Sequence, residues 1–437
     1  MLVRTTAAAV TSVAAALALI AAPAHAETSR GVEIPAFYDP PASVPAAPGT
    51  PIRGEPMPLA VNLPVVFPGT STRLMYSTTD SSGKATAVTG ALISSTKAWT
   101  GSGPRPVVAF AVGTIGQGDQ CAPSYGLEHP VVLGVGDGTT TFGVNYDMAQ
   151  MTFLLNKGYD VALTDYVGLG TTDRLHTYVN RADQAHALLD VVRAARQAPG
   201  SRVTAQTQVG LWGYSQGGGA VAAAAEEQPS YTADVNLVGS YAGAPPADLE
   251  ATIKGVDGNL IAGVLGFTIN GLRESYPQLK PVIDANLNAK GAAALDSIST
   301  ACIGDAIGSY AFAKSTSWTK DGRSLSQIVA ADPGVRAIVQ EQRIGTRKPT
   351  SPVLVTSDLA DGTVPHAQVR RLAVDWCGKG APVTYKGLGL PPLPGDTDRL
   401  AVHHLAGAAE GLPSALSWLS DRFAGKPVTN SCGSLGA

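Results

Sequence analysis

Short runs of apolar residues, each long enough for one strand and separated by helical stretches, constrain this chain more than any other feature. They lie at residues 106–112, 160–164, 208–212 and 352–356, with a further strand-like segment at 382–385. Between them, helical patterns occupy about 147–157, 183–197 and 218–228. The second carries Leu188, Leu189, Val192 and Ala195 on one face, and the third is almost pure alanine. Strands that are apolar on both faces and alternate with helices predict an α/β fold, a mostly parallel sheet covered by helices on both sides.

The remaining segments modify that plan. Residues 27–69 are Pro-rich and read as an irregular arm. Residues 74–77 and 87–93, with Gly83 in the turn between them, read as a hairpin. From 246 to 344 helical stretches follow one another without core strands, including the uncharged 258–272, and a final helix is expected over 412–423. We therefore expect a core formed by 27–245 and 345–437, interrupted by a helical cap at 246–344.

Residues 1–26 read as a leader to be removed. Arg4 precedes an Ala/Val/Leu-rich run, and the segment ends on Ala24-His25-Ala26, a small-x-small cleavage pattern. An uncleaved anchor is the alternative, against which the cleavage pattern argues. Beyond Ala26 no apolar run reaches the roughly 18 residues of a membrane span. The expected product is exported to the cell exterior and soluble. The net charge of -3, from 31 Lys+Arg and 34 Asp+Glu, excludes an electrostatic nucleic-acid binder, and 44% hydrophobic residues exclude a disordered chain. The four cysteines, Cys121, Cys302, Cys377 and Cys432, form no C-x-x-C pair. In an oxidising compartment they point to two disulfides, with three connectivities open.

The strongest chemical signal is Gly213-Tyr214-Ser215-Gln216-Gly217, a G-x-S-x-G pattern between an expected strand and an expected helix. A tight turn there would hold the Ser215 hydroxyl above the sheet, and the N–H of Gln216 would face a developing oxyanion. Such a serine needs an acid and then a histidine later in the chain. Asp361 follows the strand at 352–356 and is the favoured acid, with Asp358 its competitor. His129, His176 and His186 precede Ser215 and read as surface or packing residues. His366 lies too close to Asp361. That leaves His403 and His404, expected on a loop between the last strand and the final helix. A second oxyanion donor is sought after the strand at 106–112, where Gly113 allows close backbone approach and the N–H of Thr114 is the candidate.

Rival motifs fail. Gly83-Lys84 lacks the remaining residues of a phosphate-binding loop, and Gly134, Gly136 and Gly138 have the wrong spacing for a dinucleotide fingerprint. No H-E-x-x-H helix is present, so neither a metal nor a cofactor is expected.

Several segments, in order, resemble the secretory lipases typified by Candida antarctica lipase A and its bacterial relatives. They are Phe37-Tyr38-Asp39-Pro40-Pro41, Cys121-Ala122-Pro123-Ser124, Asp165-Tyr166-Val167-Gly168-Leu169-Gly170, the Ser215 motif extended to Gly218, His404-Leu405, and Trp418-Leu419-x-Asp421-Arg422-Phe423-x-Gly425. The resemblance implies an α/β-hydrolase core, a helical cap and hydrolysis of lipid esters, at a lipid–water interface in some settings. It selects His404 over His403, supports Ser215 and Asp361 beside it, and implies the pairings Cys121–Cys302 and Cys377–Cys432. Fungal members carry an acid in the oxyanion loop where this chain has Gly113-Thr114-Ile115, so only backbone donors are expected there. Ile261, Val264, Leu265, Phe267 and Ile269 are candidates to line an acyl pocket, or simply form a buried cap helix. A short-chain esterase, an acyltransferase and a catalytically silent binding protein on the same scaffold are the competing functions.

Overall fold

The computed structural model describes residues 27–61, 66–136, 138–391 and 398–435. The expected leader, 1–26, lies outside them. Among the described residues, thirteen strands form three sheets. The principal one contains β3 (Pro51–Met57), β4 (Gly69–Thr79), β5 (Ala85–Ser95), β6 (Val107–Ala111), β9 (Asp160–Thr164), β10 (Val209–Tyr214), β11 (Leu237–Gly243), β12 (Val353–Asp358) and β13 (Val383–Leu388). Their order is β13-β12-β11-β10-β6-β9-β5-β4-β3. The six strands from β13 to β9 are mutually parallel, and β5, β4 and β3 add an antiparallel edge. The small sheets are β1 (Glu27–Ser29) with β2 (Val32–Ile34), and β7 (Val131–Gly136) with β8 (Thr139–Val144).

The chain runs from β6 outward to β9, then returns past β6 to build β10 on its other side. The order reverses between β6 and β10, and in open α/β sheets the carboxyl ends of the strands at such a reversal frame the ligand crevice. Thr114 lies three residues past the end of β6, and Ser215 directly follows β10.

Helices cover both faces. After α1 (Tyr125–Glu128) come α2 (Met148–Asn156), α3 (Arg181–Ala195) and α4 (Gln216–Tyr231). The series α5 (Leu249–Val256), α6 (Val264–Ser275), α7 (Lys280–Asn286), α8 (Ala289–Ser299), α9 (Ile303–Tyr310), α10 (Leu325–Ala331) and α11 (Pro333–Glu341) follows, then α12 (His366–Gly378), α13 (Val402–Phe423) and α14 (Cys432–Leu435). Alternation along β10 sorts the faces. A Cβ at Gly210 would meet Leu419 and Phe423 of α13, whereas one at Gly213 would meet Gly217 of α4. The uninterrupted apolar strands thus bury both faces, and Val107, Val108, Leu211 and Val355 are wholly enclosed. Helices α5–α11 contribute to separate apolar clusters, one built on Leu265, Phe267, Ile298 and Trp318.

Three expectations need correction. Residues 27–69 are not merely irregular, because β3 pairs with β4 and extends the sheet. Its prolines, Pro51 and Pro56, are compatible with an edge strand, where a missing N–H leaves no neighbour unsatisfied. The final helix begins at Val402 rather than near 412, so His403 and His404 occupy its first turn and not a preceding loop. Pro413 lies inside it, where the sequence reads as a helix start. Finally, β11, which has no counterpart in the sequence reading, separates β10 from β12.

Disulfides join Cys121 to Cys302 and Cys377 to Cys432. The first links the loop after β6 to the start of α9, and the second links α12 to α14.

Candidate active site

The turn between β10 and α4 is built by steric exclusion. A Cβ on Gly217 would lie 2.0 Å from the carbonyl oxygen of Ala111, and one on Gly213 would lie 2.3 Å from that of Gly217. Bare backbone lets α4 start directly over β6 and β10. Ser215 takes up the bend with φ +58° and ψ -122°, a region that side-chain-bearing residues rarely occupy. Its N–H donates to the Gly243 carbonyl at 2.9 Å, which fixes the strained turn.

Ser215 Oγ lies 2.8 Å from His404 Nε2, and His404 Nδ1 lies 2.8 Å from Asp361 Oδ2. The carboxylate can only accept, so Nδ1 carries the hydrogen and Nε2 is left to accept from the serine hydroxyl. The other oxygen of Asp361 accepts the N–H groups of Thr363 and Val364, each at 3.0 Å. Tyr214 donates from its hydroxyl to the His404 carbonyl at 2.7 Å, holding the first turn of α13 against the elbow.

The two competing residues pair with each other. His403 Nδ1 lies 2.9 Å from Asp358 Oδ1, and Asp358 also accepts from the N–H groups of Ala360 and Leu390. This buried pair ties α13 to the ends of β12 and β13. Of the two adjacent histidines, only His404 is hydrogen-bonded to Ser215. His366 contacts Ser357 and Tyr385, His186 bonds the Thr79 carbonyl, and His129 is exposed.

On the donor side, Gln216 opens α4, so its N–H has no intrahelical partner and lies at the positive end of the helix. Its side chain donates to His176 Nε2 at 3.0 Å, while His176 Nδ1 donates to the Val167 carbonyl at 3.0 Å. Burial pushes the His176 pKa down to about 4, which keeps the ring neutral and able to accept. Chain order gave no sign of this role, because His176 precedes Ser215 by 39 positions and the contact is purely spatial.

Across the crevice, Tyr146 donates to the Thr114 carbonyl at 2.8 Å, and the Thr114 and Tyr178 hydroxyls lie 2.6 Å apart. The Thr114 N–H has no partner among the described residues. The Gly113 N–H donates to Asp147 Oδ2 at 2.8 Å. Asp147 Oδ1 in turn accepts from Gln150, whose carbonyl oxygen accepts from Trp212 on β10. One buried carboxylate therefore connects the loop after β6 to the strand that carries the serine.

Burial pushes the Asp147 pKa from 3.8 up to about 6, against the opposing pull of its two N–H donors. Because the folded value is raised, the favourable contribution is complete below about pH 4 and is lost as pH rises through about 6. The loss amounts to about 3 kcal/mol. Relative to Asp147→Asn, the wild type should lose about that much stability between pH 4 and 7 in urea unfolding. A difference that does not vary with pH would contradict the raised value.

Two cavities meet at Ser215, His404, Thr114 and Ile261. One extends beneath α5 and α6, past Leu249, Ile253, Val264 and Leu265. The other, about 260 Å³, runs past Tyr146, Ile303, Ile307 and Leu405. Of the expected acyl-pocket residues, Ile261, Val264 and Leu265 line the first cavity. Phe267 is packed in the helical cluster, and Ile269 lines a separate apolar cavity near Trp318. Among the described residues no cluster of three or more metal-ligating side chains occurs, and no helix is long and apolar enough to cross a membrane.

A family model described as secretory lipase matches residues 134–431. The chain is 29% identical over 424 residues to a Mycobacterium tuberculosis protein named a probable inactive lipase, covering 94% of this chain and 88% of that one. It is 27% identical over 378 residues to Lipase 1 of Candida albicans, covering 83% and 74%. In fold it is similar to the crystal structure of Candida antarctica lipase A, with a TM-score of 0.75 at 22% identity over 92% of this chain and 88% of that one. The family match spans well over half of the sequence and agrees with the sheet order and elbow described above, so the chain belongs to the secretory lipase family and has the α/β-hydrolase fold.

Proposed function

We propose that this protein is a secreted serine hydrolase that cleaves lipid carboxylic esters through Ser215, His404 and Asp361. The observation that carries the reading is the unbroken hydrogen-bonded series from Ser215 Oγ through His404 to Asp361, at 2.8 Å for each link. His404 removes the Ser215 proton as the oxygen attacks the ester carbonyl, and Asp361 holds the ring in the required tautomer and supports its charge. The N–H groups of Thr114 and Gln216 receive the oxyanion. His404 then protonates the departing alcohol, and a water activated by the same ring releases the acid from Ser215. The steps call only on this chain's groups and water.

The cavity beneath α5 and α6 is assigned to the acyl chain, and that past Tyr146 and Ile303 to the alcohol. Residues 246–344 act as the cap over a core of 27–245 and 345–437. The leader-like residues 1–26 and two disulfides support export.

A catalytically silent protein is the second reading, raised by the name of the mycobacterial relative. A fluorophosphonate probe separates the two. It should label the wild type at Ser215 and leave Ser215→Ala unlabelled. The wild type should also turn over p-nitrophenyl esters across a range of acyl lengths. An unlabelled wild type inert toward every ester would leave the silent reading standing.

A further inference from the structure

The hairpin β7–β8 is patterned inside out. Cross-strand pairing places Val131 opposite Val144, Leu133 opposite Phe142, and Val135 opposite Thr140, all on one face. That face points to solvent, with Leu133 71% and Val135 81% exposed, and Val131 and Phe142 about half exposed. The opposite face carries Val132, Gly134, Gly136 and Gly143. A Cβ at Gly134 would meet the Arg30 carbonyl at 2.6 Å, and one at Gly143 would meet the Cys302 sulfur at 3.0 Å. The glycines let the hairpin lie flat on the body, while its large apolar side chains face outward. A two-stranded sheet in water ordinarily has the reverse arrangement.

The hairpin is held rigidly. The Phe142 N–H and the Thr141 hydroxyl both donate to Asp305 of α9, at 2.6 and 2.8 Å. The hairpin also adjoins the catalytic cavity: Phe142 packs against α9, where a Cβ at Gly304 would meet its ring at 2.6 Å, and Ile303 and Ile307 of α9 line that cavity together with Tyr146 and Leu405. Tyr146 and Leu405 are themselves about half exposed, which places them at the mouth.

We propose that this hairpin face, with Tyr146 and Leu405 at the cavity mouth, is the surface through which the protein adsorbs to a neutral or zwitterionic lipid surface. The choice of occupant rests on the ester-hydrolase reading, since a second copy seated here would cover the mouth that lipid must reach. Charge supports it too. From Pro130 to Asn145 the sequence holds one ionisable residue, Asp137, so the segment offers little to a highly charged partner and its adsorption should respond only weakly to salt.

The test uses the full mature chain carrying Ser215→Ala, co-sedimented with sucrose-loaded phosphatidylcholine vesicles or floated with triolein emulsion, at low and high salt. In parallel, the Ser215 form is assayed on monomeric p-nitrophenyl butyrate. Leu133→Ser with Val135→Ser should weaken vesicle binding about 10- to 100-fold, while turnover of the soluble ester stays within about twofold. Val135→Trp should tighten binding, since indole favours the interface. Three results would overturn the surface: a chain that hydrolyses the soluble ester yet binds no lipid, a double variant that binds like the parent, or a double variant that only converts a dimer to a monomer. Lipid binding that responds to these variants, in a chain inert toward every ester, would support the surface and reject the hydrolase reading.

Discussion

Replacing His404 with alanine should lower ester turnover on the order of a millionfold, whereas the same change at His403 should spare turnover per folded molecule. Both histidines are buried, adjacent in sequence and paired with a carboxylate. Composition, exposure and chain order do not separate them. What does is the second ring nitrogen. His404 Nε2 meets Ser215 Oγ, and His403 has no such contact with the serine. Loss of His403 leaves Asp358 buried without its partner, so the cost should appear as stability, about 3 kcal/mol. Steady-state kinetics on a soluble ester, normalised by titrated folded protein and paired with urea unfolding, reads both effects. Asp361→Asn against Asp358→Asn should repeat the contrast, with a loss of about 10,000-fold only for the first. Abolished turnover in His403→Ala with retention in His404→Ala would reject the assignment.

The second large effect concerns folding. Gly217→Ala would place a methyl 2.0 Å from the carbonyl oxygen of Ala111, in the central strand β6. No rotamer change relieves a contact between two backbones, so either α4 lifts or the elbow opens. The destabilisation should reach at least about 3 kcal/mol, the upper end for overpacking, with loss of soluble protein in a marginal host. Gly308→Ala in α9 is the matched control, since nothing lies within 4 Å of its added methyl. It should be neutral or stabilise by up to about 1 kcal/mol. Equal stability of the two variants would mean that α4 does not cross β6 as closely as described.

The legible parts of the molecule were those where one interaction dominates locally. β6, β9 and β12 announce themselves because burial on both faces demands unbroken apolar runs. The elbow is visible because its glycines answer to a steric requirement within five residues. β11 is harder to read because Gly239, Ser240 and Gly243 interrupt its apolar run. Those glycines instead make room for neighbours, Trp418 and Arg422 at Gly239 and Tyr214 at Gly243. The early start of α13 was hidden similarly. Gly407 and Gly411 weaken the helical signal, yet a Cβ at Gly407 would press on the Tyr214 hydroxyl that holds His404. β7 and β8 surface in the sequence only as glycines of the wrong spacing for a dinucleotide site, since their outward-facing apolar residues obey no core-facing pattern. His176 and Asp147 act through partners distant in sequence, which no spacing rule reaches.

The first disulfide has a mechanical meaning. Residues 115–117, following the donor loop, are laced to 301–303 by the Gln117 and Ile303 N–H bonds and by the Cys121–Cys302 bond. The loop carrying Thr114 and the first turn of α9 therefore form a single fixed jaw. On the hydrolase reading proposed above, α9 could not swing aside for a bulkier alcohol without displacing Thr114 as well. The side chain of Gln117 also accepts from Asn270 of α6 at 3.1 Å, so α6 shares this anchorage, and on the proposed reading the freedom to give way for an acyl chain falls on α5.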